Sequence, residues 1–126
     1  MLNILVVDDS KVARKRTIAT IESFNIEHSI THAIDGEDAL KAFALKKHNL
    51  VITDLEMPNM DGLELIAKLR EISKELDIII ITAVANEQIK QLFKSERYTS
   101  FIRKPIDTKV LEAYLLKTQN HILKGN

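Results

Sequence analysis

Four apolar runs of this chain each end on a residue that can handle phosphate. Ile4-Leu5-Val6-Val7 leads into Asp8-Asp9, and Leu50-Val51-Ile52-Thr53 leads into Asp54. Ile78-Ile79-Ile80-Ile81 leads into Thr82, and Phe101-Ile102-Arg103 leads into Lys104-Pro105. If the runs are strands of one open parallel sheet, their carboxyl ends meet at the crevice where such sheets bind ligands. Three carboxylates held there repel one another, and withdrawal from water makes the repulsion worse. A divalent cation relieves it. An oxygen-only donor set favours Mg²⁺, which keeps several waters and takes only one or two carboxylates from the protein. Lys104 adds a second positive charge, so that phosphoryl oxygens can bridge metal and ammonium while charge develops in transfer. One carboxylate can itself be the nucleophile, giving an aspartyl phosphate. Thr82 can donate a hydrogen bond to a phosphoryl oxygen, and the small Ala83 beside it leaves access.

The elements that must position these residues follow from the period of the apolar residues. Runs of about four residues alternate with longer stretches of helical spacing. The first strand is expected over residues 3–7. Ser10 then caps a helix through about Phe24, with Val12, Ala13, Ile18, Ile21 and Phe24 facing inward. A weaker strand covers about Glu27–Thr31, the Asp35-Gly36 turn follows, and a second helix at Glu37–Lys46 buries Leu40, Phe43 and Ala44. After the strand at 50–53, Pro58-Asn59-Met60-Asp61-Gly62 reads as a loop before a helix from Leu63 to about Ser73. The unalternated isoleucines at 78–81 suit a strand covered on both faces. A helix at Asn86–Phe93, a short strand at 100–103 and a helix at 108–123 complete five βα units. Short connections and right-handed crossovers then predict an α/β fold, a flavodoxin-like doubly wound parallel sheet of five strands in the order 2-1-3-4-5 with five helices. That order makes the first and third strands neighbours and brings Asp8, Asp9 and Asp54 to one switch point.

Composition narrows the class. The 126 residues suffice for a single domain over 1–126 with a real core. Lys plus Arg and Asp plus Glu each total 18, so no net field favours nucleic acid or an anionic membrane. The absence of cysteine excludes disulfides, thiolate zinc sites and cysteine nucleophiles. No apolar run approaches the ~20 residues of a membrane span, and no basic segment followed by a long apolar one opens the chain. A cytoplasmic protein is expected.

Asp8-Asp9, Asp54-Leu55-Glu56-Met57-Pro58-Asn59-Met60-Asp61-Gly62, Thr82-Ala83 and Lys104-Pro105, with the intervals between them, resemble the receiver domain of two-component response regulators. The resemblance covers nearly the whole chain. It implies a bacterial phosphorylation-dependent signalling switch, not an enzyme beyond assisting its own phosphorylation and dephosphorylation. Asp54 would accept the phosphoryl group from a sensor histidine kinase or a histidine phosphotransfer protein. Asp9 would hold Mg²⁺ directly, Asp8 largely through water, and Asp54 and the Glu56 backbone carbonyl would add ligands. Lys104 would pair with the phosphoryl group across a cis Lys104-Pro105 bond. Thr82 and Phe101 would form a switch pair, Thr82 moving toward phosphate and Phe101 turning inward behind it. The output surface would be the fourth helix, fifth strand and fifth helix, acting on a downstream protein or a fused output domain, with a homodimer on phosphorylation also within the family's range. No direct binding to nucleic acid or membrane is implied.

Taken singly, each of these residues has a plain structural explanation: a helix cap for Asp9, a strand end for Asp54 and Thr82, core for Phe101. Their joint placement at four strand ends outweighs it. Lys11, Arg14, Lys15 and Arg16 read as a solvated face of the first helix, which in the family helps dock the phosphodonor. His28, His32, His48 and His121 have no metal-ligand spacing and are expected at the surface or at strand ends. One departure from the family stands out. Arg97 and Tyr98 occupy the places of its usual Gly-Ala pair, and residues 94–100 contain no glycine, so the fourth helix should be shortened or displaced. Glu56, two residues past Asp54, is expected to tune dephosphorylation or metal affinity. The same Glu56 spacing supports an alternative, a small Mg²⁺-dependent phosphatase working through an aspartyl phosphate, although no segment is long enough for a substrate cap. A flavodoxin-like nucleotide binder fits less well, because the pocket is acidic and lacks a Gly/Ser/Thr-rich phosphate loop.

Overall fold

The computed structural model describes residues 1–84 and 86–124. In chain order the elements are β1 (Leu2–Val7), α1 (Lys11–Glu22), β2 (His28–Ala33), α2 (Gly36–Leu45), β3 (Leu50–Thr53), α3 (Gly62–Ile72), β4 (Asp77–Thr82), α4 (Glu87–Leu92), β5 (Thr99–Arg103) and α5 (Thr108–Lys124). All strand pairs are parallel, in the order β2-β1-β3-β4-β5, which is the flavodoxin-like arrangement expected. Each helix start that must follow a strand closely carries its own stop signal. The side chains of Ser10, Asp35, Asp61 and Asn86 accept the backbone N–H three residues on, caps worth about 1 kcal/mol each.

Strand alternation sorts the core into two layers. Leu5, Val7, Val51, Ile78 and Ile80 pack with Ala39 of α2 and with Leu65, Ile66 and Leu69 of α3. On the other face Ile4, Val6, Leu50, Ile52, Ile79 and Ile81 pack with Ile21 of α1 and with Leu111 and Leu115 of α5. Every residue of β4 is buried, as its isoleucine run predicts. No helix among the described residues is long and apolar enough to cross a membrane.

Three expectations change. The inner face of α1 is Arg14, Thr17 and Ile21, whereas Val12 is 67% exposed; the phase suggested by Val12 and Ala13 yields because Arg14 has a buried acceptor in the preceding turn. Arg14 therefore leaves the solvated basic face. In α2, Ala39 is buried and Ala44 exposed, because the helix packs against β1 and β2 and turns Ala39 inward. His48 is buried at 5% exposure, stacked on Phe43 with ring centroids 5.8 Å apart. Neither of its ring nitrogens makes a well-formed hydrogen bond. Burial first, then the Lys46 charge, holds its pKa below the usual 6.5, against a weaker pull from the Lys46 backbone.

The fourth helix, α4, ends at Leu92, and the glycine-free segment lies beyond it. Tyr98 is half-buried at the edge of the sheet, stacked on the His121 ring of α5 at 4.5 Å. Its hydroxyl donates to Glu75 at 3.3 Å, and its backbone carbonyl receives the Ile78 N–H that opens β4.

Candidate functional site

Sheet register explains the site. Val7 is level with Thr53, and Thr53 with Ile80. The residues that follow, Asp8 and Asp54, therefore emerge side by side on adjacent strands. Their backbones stay latched to the sheet: the Asp54 N–H donates to the Val7 carbonyl and the Asp8 N–H to that of Ala33, each at 3.2 Å. Two strands away, the Lys104 N–H donates to the Thr82 carbonyl at 3.0 Å, which turns the lysine stem back across the crevice. The Lys104-Pro105 bond is cis.

Lys104 Nζ reaches Asp54 Oδ2 at 2.7 Å and Asp8 Oδ2 at 3.4 Å. Both carboxylates are more than nine-tenths buried. Burial alone would lower the Lys104 pKa, but the Asp54 hydrogen bond and charge, and then Asp8, reverse this and hold it above its ordinary value. The remaining oxygens are aimed by the backbone. Asp54 Oδ1 accepts the N–H groups of Leu55 at 2.6 Å and Glu56 at 3.2 Å, and Asp8 Oδ1 accepts that of Ser10 at 2.9 Å. Asp9 and the Glu56 side chain are exposed beside this centre. Thr82 is fully buried, its hydroxyl accepting the Val84 N–H at 3.3 Å. Phe101 is half-buried, packed on Phe93 with centroids 5.5 Å apart.

Among the described residues no three His, Asp or Glu side chains are grouped around a common point. Two carboxylate oxygens nevertheless converge on one ammonium, and every donor nearby is oxygen. That set fits a hard cation such as Mg²⁺, which needs few protein ligands.

Sequence reasoning missed three supports of the loop after Asp54. Asn59 takes a positive φ of 68°, which asparagine tolerates better than most residues, and its amide donates to Asp35 Oδ2 at 3.2 Å. Gly62 donates its N–H to the Leu55 carbonyl at 2.9 Å, so close that a Cβ there would collide with the Asp54 carbonyl and the Leu55 Cα. A Cβ on Gly36 would meet Met60 at 2.8 Å. The signal was in the sequence, two Gly-containing turns flanking the acceptor, but only contact across the fold explains them.

The family described as response regulator receiver domain matches residues 4–116. The chain is 33% identical over 112 residues to the chemotaxis protein CheY of Treponema pallidum, covering 86% of this chain and 77% of that one. It is 35% identical over 114 residues to the cyclic di-GMP phosphodiesterase response regulator RpfG of Xanthomonas campestris, covering 89% of this chain but only 30% of that longer relative. A receiver-domain crystal structure from Clostridium thermocellum superposes over the full length of both chains with a TM-score of 0.88 at 21% identity, a likeness of fold. With the acidic pair, the buried Asp54–Lys104 contact and the strand order in place, the chain belongs to the response regulator receiver domain family, the signalling modules of two-component systems.

Proposed function

We propose that this domain, over residues 1–126, is a phosphorylation-driven switch whose phosphoacceptor is Asp54. The observation that carries the reading is the convergence of buried Asp8 and Asp54 on Lys104, with Asp9 exposed beside them. A carboxylate oxygen of Asp54 forms a P–O bond as the P–N bond to a phosphohistidine donor breaks, and the imidazole leaves with the electron pair and takes up a proton. The donor is a sensor histidine kinase or a histidine phosphotransfer protein. Asp8, Asp9, Asp54 and the Glu56 carbonyl would hold Mg²⁺, which when bound neutralises charge on the transferring phosphoryl oxygens. Lys104 supplies the second positive charge, leaving Asp8 for the phosphoryl oxygens as charge builds. Thr82 turns its hydroxyl from the Val84 N–H to the phosphoryl group, and Phe101 follows into the space behind it. The equilibrium between the two arrangements remakes the surface of α4, β5 and α5 for a downstream protein or a fused output domain. Glu56, exposed next to the acceptor, sets the lifetime of the phosphorylated state. A cytoplasmic setting agrees with this chemistry.

Acetyl phosphate or beryllofluoride with Mg²⁺ tests the reading on the wild type and on Asp54→Asn. The wild type should change its amide NMR spectrum around Thr82 and Phe101, and Asp54→Asn should not. An equal response in both would end the assignment of Asp54. Steady turnover of small phosphate esters by the wild type would move the reading to the phosphatase alternative.

A further inference from the structure

Of the four basic residues on the first two turns of α1, Lys11, Lys15 and Arg16 are exposed, but Arg14 is buried at 9% exposure. Its Nη1 donates to the backbone carbonyl of Asp8 at 2.8 Å, in a buried contact. Its own backbone N–H donates to the Ser10 carbonyl at 2.9 Å. The Arg14 side chain thus holds the start of the three-residue turn Asp8-Asp9-Ser10 while the helix backbone holds its end, and Asp9 lies between them. The exposed Asp9 carboxylate has no hydrogen bond or ion pair to the protein among the described residues, so the turn's backbone is what fixes the point from which its side chain extends.

Burying a guanidinium is costly unless it is paired. No carboxylate lies within ion-pair distance of Arg14 among the described residues. Its buried acceptor is a neutral carbonyl, which an apolar side chain on α1 could not satisfy. We infer that Arg14 is a positioning residue, holding the Asp8–Asp9 peptide and so fixing the backbone from which the Asp9 side chain reaches a cation. This rests on the proposed metal-assisted phosphorylation and adds to it a residue outside the acidic cluster.

The two effects of the guanidinium have opposite signs, which makes the inference testable. As a nearby positive charge it opposes a divalent cation, so its loss should tighten binding. As a positioning group its loss should weaken binding, in the range of tenfold or more seen when groups behind metal ligands are removed. Mg²⁺ affinity is read by amide NMR titration of the unphosphorylated protein, following Asp9 and Asp54, for wild type, Arg14→Met and Arg14→Lys, with thermal unfolding recorded in parallel. Arg14→Met should bind Mg²⁺ about tenfold more weakly, with the spectrum of β3–β5 unchanged, and Arg14→Lys should fall between it and the wild type. Affinity in Arg14→Met equal to or above that of the wild type overturns the inference. Should Arg14→Met not fold, Arg14→Lys decides: weakened binding supports the inference, and wild-type affinity overturns it. If the wild type itself fails to bind Mg²⁺, the metal-assisted reading falls with it, a result distinct from wild-type binding that Arg14 does not influence.

Discussion

Lys104 and Arg70 are both half-buried cations placed between elements, at opposite ends of the same sheet. At the carboxyl ends of the strands, Lys104 faces two buried acids, with Asp9 and Glu56 exposed nearby, so negative charge is left under-neutralised. At the amino ends, Arg70 of α3 donates to five acceptors: Glu96 Oε1, Thr99 Oγ1 and the carbonyls of Ser73, Lys74 and Leu76. The Thr99 hydroxyl in turn donates to Glu96 at 2.8 Å, and close by His121 meets Asp77 at 2.8 Å beneath Tyr98. The first end holds charge that a cation and a phosphoryl group can rearrange. At the second, Arg70 is paired with Glu96 and hydrogen-bonded to four further acceptors, so it serves as an anchor. The anchor also accounts for the glycine-free segment, since Glu96, Tyr98 and Thr99 are tied to α3, α5 and the α3–β4 loop, and α4 ends ahead of them.

The contrast breaks if changes at either end act on the wrong property. The largest effect is expected for Gly62→Ala, because the new Cβ meets backbone rather than a yielding side chain. It should cost about 3 kcal/mol in urea unfolding, and a loss under about 0.5 kcal/mol would show that the acceptor loop is not held by this contact. Lys104→Met should slow phosphorylation by acetyl phosphate roughly 10²-fold with a smaller change in stability that Mg²⁺ reverses; a wild-type rate would remove Lys104 from the chemistry. The raised Lys104 pKa adds a pH signature. The ion pair stabilises the fold fully below about pH 10.5, the ordinary lysine value, and that contribution is lost as pH rises through the folded value, so the alkaline fall in stability should shrink in Lys104→Met.

Arg70→Met should do the reverse, costing about 2 kcal/mol of stability by stranding Glu96, Thr99 and three carbonyls, with the phosphorylation rate per folded molecule unchanged. A slowed rate at full folding would mean that the two ends are coupled. The smallest effect belongs to His48. Its depressed pKa means the unfolded chain takes a proton that the folded chain resists, so stability falls as pH drops below 6.5 toward the folded value. His48→Phe, which keeps the stack on Phe43, should flatten that dependence by a few degrees of Tm between pH 7.5 and 5.5. Parallel curves for the two proteins would show that His48 does not titrate on unfolding.

Strand positions and the residue types at the strand ends were legible because they depend on local pattern, and strand order followed from the short connections. Ile78–Ile81 read as a strand covered on both faces; Asp8, Asp54 and Lys104 follow their strands by one step, and Thr82 ends its own. Helix faces were less legible where polar groups take inward positions. Arg14 turns toward the sheet because the Asp8 carbonyl needs a donor, and no apolar periodicity records that need. His48 was misplaced for a similar reason: its ring is covered by Phe43 and the ends of neighbouring elements, which spacing along the chain does not register.

The amino-acid order by itself determined the alternation of strands and helices, the caps that start the helices, and which residue types stand at each strand end, since these are set by neighbours a few residues apart. Tertiary structure alone decided that Lys104 bridges Asp8 and Asp54, that Gly62 must lack a side chain, that Arg14 faces inward and that Arg70 closes the far end. Each of those depends on atoms brought together from distant parts of the chain, where charge, exclusion of water and the volume of a single methyl group choose between arrangements that the local sequence permits equally.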